Sequence, residues 1–421
     1  MNKTAIKNFA IWARNKLIAD IQYRAGLMGI TAEGIKNALP QATPNMEFYD
    51  IGTAEPYSIT GEAIRQRQKL VETIRRKEAD SDYPTAYKYI LEEVAYTWFN
   101  RLIAIRFMEV NDYLPSHIRV LSSESGKVEP DLVTTPFDAE LDFNPDEQET
   151  ILRLKTESAL DELFRLLFIK QCNALNEILP ALFEKTSDYT EVLLNLSVVD
   201  QEGVVYRLIH DIDEDDFNIE KGGQVEIIGW LYQYYISERK NEVMDGFKKN
   251  HKAGADEIPA ATQLFTPDWI VRYLVQNTVG RLWMQSHPDS QLYKNWDYYI
   301  QPSEDGSTEN EDILNIQTPE ELTVCDPACG SGHMLTYAFD LLYEIYEEEG
   351  YAPSDIPGLI LKHNLYGMEI DERAVSLAAF ALTMKARSRS RRFFKKQVEP
   401  NIQRIAPISF EEGEVAELND L

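Results

Sequence analysis

The spacing of hydrophobic and polar positions along the chain changes once. Up to about residue 255, apolar residues recur three and four positions apart in long runs, the period of one face of an α-helix. "TGEAIRQRQKLVETIRRKEAD" and "AYKYILEEVAYTWFNRLIAIRFMEVNDYL" carry this spacing, with Thr60 placed to N-cap the first and Pro115 to close the second. "DEQETILRLKTESALDELFRLLFIKQCNALNEILPALF" and "VEIIGWLYQYYISERKNEVM" continue it. No alternation of strands and helices interrupts these runs, so the pattern predicts an α-helical domain over residues 1–255. Tyr96, Trp98, Phe99, Trp230, Tyr232, Tyr234 and Tyr235 fall at helical spacing, which assigns them to core rather than to base stacking.

The polar stretch "GFKKNHKAGADEIPAAT" reads as a linker or ordered loop. A helix follows in "TPDWIVRYLVQNTVGRLWMQ", with Thr266 as N-cap and Pro267 at its first position, and then the acidic, solvated "QPSEDGSTENED". From Leu322 the period shortens. "LTVCD" predicts a strand, "PACGSG" a turn, and "HMLTYAFDLLYEIYEEEG" a helix stopped at Gly350. A short helix in "DIPGLILKHN" leads to a strand in "LYGMEID", then a helix in "ERAVSLAAFALTMKAR" capped by Asp371, and a third strand in "VEPNIQRIAPISF". The expected fold class is therefore α plus α/β: a helical N-terminal domain, then over 256–421 the first half of a doubly wound, Rossmann-like domain.

Composition, 44% hydrophobic and 11% aromatic, is that of a globular protein. The net charge of -28 argues against holding nucleic acid by overall electrostatics but leaves room for a local basic patch. "KARSRSRRFFKK", with seven basic residues in twelve, is that patch; Arg389, Arg391 and Arg392 are candidate DNA contacts, weighed against a solvated helix end. The first residues lack the apolar run of a signal peptide and no stretch is long enough to span a bilayer, so no membrane contact and a cytoplasmic location are expected. Cys172, Cys325 and Cys329 show neither a disulfide framework nor paired zinc spacing, and the six histidines form no metal pattern, so no metal is expected. His333, which opens the helix after the turn, is read as lining that helix in preference to touching the cofactor.

The chemistry concentrates in "VCDPACGSGHML". Gly330 and Gly332 allow positive φ or close approach of a ligand to the backbone at the end of a strand, where open α/β sheets bind nucleotides. Three cofactors compete. A phosphate-binding loop needs Lys and then Ser or Thr after its glycines, whereas His333 and Met334 follow here, against ATP. A nicotinamide site asks for a third glycine where Leu335 stands, which disfavours NAD without removing it. S-adenosylmethionine accounts for more of the residues: Asp326 offers a carboxylate to its sulfonium and amino groups, and Glu369 at the end of the next strand accepts from the ribose hydroxyls.

"DPACGSG", "YGMEID" and the upstream "ATQLFTPDWIV" together resemble the γ-type adenine DNA methyltransferases, which include the modification subunits of type I restriction systems. The resemblance implies that Gln263, Phe265, Thr266 and Pro267 line the methionine end of S-adenosylmethionine. Asp326, Ala328, Gly330 and Gly332 then form the turn, Glu369 holds the ribose and Ile370 lies against the adenine. "AYTWFNRLIAIRFMEVNDYLP", "IGWLYQYYISERKNEV" and "IPAATQLFTPDWIVRYLV" are similar to a narrower group, the large PglX/BrxX adenine methyltransferases of BREX phage-resistance systems. That similarity implies site-specific methylation of adenine N6 in duplex DNA, host marking, other BREX components as partners, and phage proteins that mimic DNA as inhibitors.

The family's catalytic Asn/Asp-Pro-Pro-Tyr/Phe motif is absent from these 421 residues, so no catalytic residue is assigned. The expectation is an N-terminal part of a longer enzyme, inactive by itself. The competing readings are a non-catalytic scaffold or cofactor-sensing subunit of a defence complex and, ranked last, a nicotinamide oxidoreductase.

Overall fold

A computed structural model describes residues 1–183, 189–249, 252, 254, 257–263, 266–302 and 314–406. The chain divides into two compact units, Met1–His251 and Lys252–Leu421.

In the first unit α1 (Lys3–Leu27) buries Ile6, Phe9, Ala13, Leu17 and Ile21 along one face, and the Asn2 side chain accepts the Ala5 N–H at its start. The strands β1 (Met46–Tyr49) and β2 (Tyr57–Thr60) pair antiparallel, so the helical half is not free of strands as its periodicity suggested. This pairing corrects the role of Thr60, which sits opposite Met46 while Gly61 takes the N-cap of α2 (Glu62–Glu78). A four-residue strand is too short for alternation to stand out beside a seventeen-residue helix.

Helix α3 (Tyr83–Val110), N-capped by Asp82, is buried almost all round over its second half. It ends at Asn111, ahead of Pro115, where the Asn111 amide donates to the Phe107 carbonyl. A capping box of Asn144 and Glu147 starts α4 (Pro145–Thr156), and α5 (Leu160–Leu175) and α6 (Ile227–Lys248) complete the longer helices. Tyr96 meets the edges of Tyr232 and Tyr235 at 5.4 and 5.5 Å, and with Trp98 and Phe99 they are core; Trp230 and Tyr234 are only half-buried.

One buried polar hub stands out. Glu109 accepts hydrogen bonds from Arg106 (2.7 Å), the Val120 and Leu121 amides (both 2.8 Å) and the Ser122 hydroxyl (2.9 Å). Arg106 also reaches Glu214, which pairs with Arg119. The carboxylate thus fixes the segment after α3 from inside the core.

In the second unit α7 (Ile258–Thr262) and α8 (Asp268–Val275) precede a three-stranded parallel sheet. Pro267 is the N-cap of α8, so Thr266 lies one residue further out than expected. The sheet has the order β3 (Val324–Asp326), β4 (Leu365–Glu369), β5 (Asn401–Arg404), with Asp326 opposite Gly367 and Gly367 opposite Ile402. α9 (His333–Glu348) links β3 to β4, and α10 (Glu372–Arg389), capped by Asp371, links β4 to β5. Leu335, Phe339, Leu342, Leu365, Leu382 and Ile402 form the core between helices and sheet. The opposite face of β4 leaves Tyr366 and Met368 exposed. No helix among the described residues is long and apolar enough to cross a membrane.

Candidate functional site

Parallel strands end on one edge, and there the chain turns sharply from β3 into α9. Gly330 (φ +54°) and Gly332 (φ +84°) both adopt the left-handed region. They meet different needs. A Cβ on Gly332 would come within 3.1 Å of the Ala378 Cβ, so that glycine lets α9 approach α10. A Cβ on Gly330 would meet nothing within 4 Å, so the backbone there is open to a ligand.

Beside the turn lies a cleft enclosing about 360 Å³, part of it open to solvent. Of the sequence-derived residues, Gln263, Thr266, Asp326, Ala328 and Gly330 line it. Glu369 is tied to them: its Oε2 accepts the Gly330 N–H at 2.8 Å, and its Oε1 accepts the Ile370 and Asp371 amides at 2.8 and 3.0 Å. The Cys329 N–H donates to the Met368 carbonyl, a second clamp between the turn and the end of β4. Asp326 accepts the Ala328 N–H at 3.1 Å. Burial pushes its carboxyl above the usual range, and the neighbouring Glu369 adds to this against the Ala328 hydrogen bond. One carboxylate, Asp326, thus lines the cleft and a second, Glu369, lies behind the turn, an arrangement that favours a cationic ligand group.

Pro267, Gly332, Glu369 and Ile370 are not among the lining residues, Glu369 reaching the turn only through its bond to Gly330. Pro267 caps α8, Gly332 packs against α10, and Ile370 is exposed just beyond β4. Phe265 lies outside the described residues.

The cleft also holds Cys329, Ser331, His333 and Met334, none of which sequence reasoning assigned to the cofactor site. His333 faces the cleft as well as opening α9. Burial pushes the Cys329 thiol up to about 12, so at neutral pH it is an apolar wall and not a nucleophile. The Ser331 hydroxyl is buried and finds no hydrogen-bond partner among the described residues. The signal for these four was their position in or next to the turn.

The basic run lies elsewhere. α10 leaves the cleft edge at Glu372 and runs eighteen residues to Arg389, a rise of about 27 Å, so Arg389, Arg391 and Arg392 sit toward the opposite edge of the sheet. Arg389 is 3.9 Å from Asp340 and 4.5 Å above the Tyr343 ring, and Lys385 pairs with Asp340 at 2.6 Å. Arg391 and Arg392 are exposed.

The sequence of residues 305–419 matches the MmeI, DNA-methyltransferase domain family. Over 98% of its length the chain is 44% identical to the adenine-specific methyltransferase PglX of Lacticaseibacillus casei (strain Zhang). The chain is a relative of the PglX and BrxX adenine-specific methyltransferases. BrxX of Escherichia coli O9:H4 (strain HS) is 38% identical over 99% of the chain. The chain spans about a third of the length of these curated relatives, 35% of PglX and 33% of BrxX. Among solved structures, the ATP-dependent Type ISP restriction-modification enzyme LlaBIII bound to DNA matches at 14% identity over 82% of this chain and 20% of its own. Its TM-score of 0.23 is too low to carry a fold assignment. The likeness to PglX and BrxX takes in both units, so the helical half is as much a part of this relationship as the glycine turn.

Proposed function

We propose that the second unit is the first half of a Rossmann-like S-adenosylmethionine-binding domain, and that the chain acts within an adenine-N6 DNA methyltransferase of a BREX phage-defence system. The observation that carries the reading is the bond between the Gly330 N–H and Glu369 Oε2, which brings a strand-end carboxylate to the open glycine of the turn. The residues present suit this cofactor. Asp326 supplies a half-buried carboxylate for a cationic group, Gly330 leaves room against bare backbone, and Glu369 is proposed to accept from vicinal hydroxyls. The cofactor, when bound, supplies an electrophilic methyl group. The chain's own residues bind and orient it, Gln263 and Thr266 among those that line the cleft.

Duplex DNA is the proposed substrate, with Arg391 and Arg392 contacting phosphates at a distance from the cleft rather than at its mouth. Other BREX components and phage DNA mimics remain the proposed partners. Because no Asn/Asp-Pro-Pro-Tyr/Phe sequence occurs in the 421 residues, the chain by itself is proposed to bind cofactor without transferring its methyl group. Titration of the chain with S-adenosylmethionine and with NADH tests the cofactor: binding of the first is expected, and binding of NADH in its place overturns the reading. A transfer assay with radiolabelled cofactor and duplex DNA tests the second part, and robust turnover would contradict it.

A further inference from the structure

In the first unit two arginines come together without a carboxylate to pair them. Arg24 lies in the last turn of α1 and Arg165 on α5, and both are half-buried. Arg24 Nη1 donates to the Tyr57 hydroxyl at 3.3 Å, and Arg165 Nη2 donates to the Glu191 carbonyl at 2.7 Å. Neither guanidinium makes an ion pair among the described residues, and the Nε of each is buried there with no hydrogen-bond partner. Other arginines of the unit are matched. Arg14 bridges Glu92 and Glu238, Arg106 bridges Glu109 and Glu214, and Arg67 directs its Nε to the Met28 carbonyl.

The segment Tyr189–Leu193, which carries the Glu191 carbonyl, packs against α1 and α2 and so brings Arg165 up to Arg24 and Tyr57. Burial and then the nearby Arg24 push the Arg165 guanidinium down to about 10, and Tyr57, Glu191 and Glu162 offset this in part. The Glu191 carboxylate accepts the Gln66 amide at 2.9 Å, and Glu162 is exposed. Two half-buried like charges repel, and enclosing a charge without a counter-ion costs more than a hydrogen bond to a carbonyl offsets. An anion between them removes both penalties.

The donors left over define that anion. A guanidinium carries five N–H groups in one plane, and here each has given one to a protein oxygen. The Tyr57 hydroxyl, which accepts from Arg24, keeps its own hydrogen to donate. Donors converging from α1, α5 and β2 exceed what the two oxygens of a carboxylate take up in one plane, and they suit the tetrahedral oxygens of a phosphoryl group. We propose that Arg24, Arg165 and Tyr57 form a binding site for a phosphoryl group, either inorganic phosphate or the monoester of a nucleotide. The site is independent of the S-adenosylmethionine reading.

Calorimetry and thermal unfolding of the full 421-residue chain test the site, with chloride at matched ionic strength as the reference. The probes are inorganic phosphate, cytidine 5′-monophosphate, whose base does not suit an adenosyl cleft, and a duplex oligonucleotide. Phosphate or the monophosphate is expected to bind and to raise the melting midpoint above that in chloride. Binding of the monophosphate tighter by roughly tenfold or more identifies a nucleotide as the ligand, and equal binding identifies free phosphate. Arg24→Gln and Arg165→Gln are each expected to weaken binding by roughly tenfold or more, and Tyr57→Phe by a smaller factor. The three changes fall on different elements, so any one variant that keeps the wild-type far-ultraviolet circular dichroism reports on the site. If the wild-type chain binds neither phosphate nor the monophosphate, or if the folded variants bind as wild type does, the proposal is overturned. Binding of the duplex alone, lost in the variants, also overturns it and makes the arginines a DNA contact.

Discussion

The backbone N–H of Gly330 donates to Oε2 of Glu369 at 2.8 Å across 39 residues of sequence, joining the turn after β3 to the end of β4. The same carboxylate holds the Ile370 and Asp371 amides with its other oxygen. Glu369→Ala removes all three acceptor interactions. It is expected to weaken S-adenosylmethionine by at least tenfold, and to lower stability by about 1–3 kcal/mol where amides are left unpaired. Glu369→Gln, which keeps one acceptor oxygen, is expected to lose less of both. Calorimetry and urea unfolding give the two quantities separately.

The two glycines of the turn are expected to respond differently. Gly330→Ala carries only the strain of a left-handed residue, about 1–2 kcal/mol. Gly332→Ala carries similar strain and also drives a methyl group to 3.1 Å from the Ala378 Cβ, forcing α9 and α10 apart. Urea midpoints should fall further for Gly332→Ala, and equal losses would contradict the packing role given to Gly332.

Asp326 sets a pH dependence. Its carboxyl is raised in the folded chain, first by burial and then by Glu369, so the folded state holds the proton more tightly than the unfolded state. Stability is therefore lost as pH rises from the ordinary aspartate value, about 4, through the raised value, and the deficit is complete once pH has passed that raised value. Asp326→Asn is expected to raise the unfolding midpoint of the ligand-free chain at pH 7 and to leave it unchanged at pH 3. It should also weaken S-adenosylmethionine, because the charge facing its cationic groups is gone. A midpoint that falls at pH 7 would show that the carboxylate is a net stabiliser and remove this argument.

In the first unit, Glu109→Ala deprives Arg106, two backbone amides and the Ser122 hydroxyl of their common acceptor inside the core. The expected loss is about 3–5 kcal/mol, the cost of breaking a buried ion pair from one side. Glu109→Gln should retain part of it. Urea unfolding followed by tryptophan fluorescence reports the loss, because Trp98 of α3 is fully buried in the same unit.

Sequence alone was sufficient for what local geometry controls. Helical periodicity marked α2 to α6 once apolar residues recurred over several turns, although α1 was not marked, a four-residue pairing such as β2 was too short to register, and its Thr60 was misread as a cap. Asp371, a short side chain ahead of an apolar run, capped α10 as its position requires. The strand, turn and helix around "DPACGSG" were legible because a left-handed turn needs glycine whatever surrounds it.

The tertiary structure decided what depends on contacts between distant segments. Parallel pairing of β3 with β4 brought Glu369 onto Gly330, while Ile370 was left exposed and outside the cleft lining. Packing against Ala378 gave Gly332 a contact between helices and left it outside the cleft lining. The length and direction of α10 carried Arg389, Arg391 and Arg392 to the opposite edge of the sheet, a separation that charge counting does not register. Enclosure by the turn and its neighbours buried the Ser331 hydroxyl without a hydrogen-bond partner among the described residues, since burial is a property of the whole fold and not of the residues beside it.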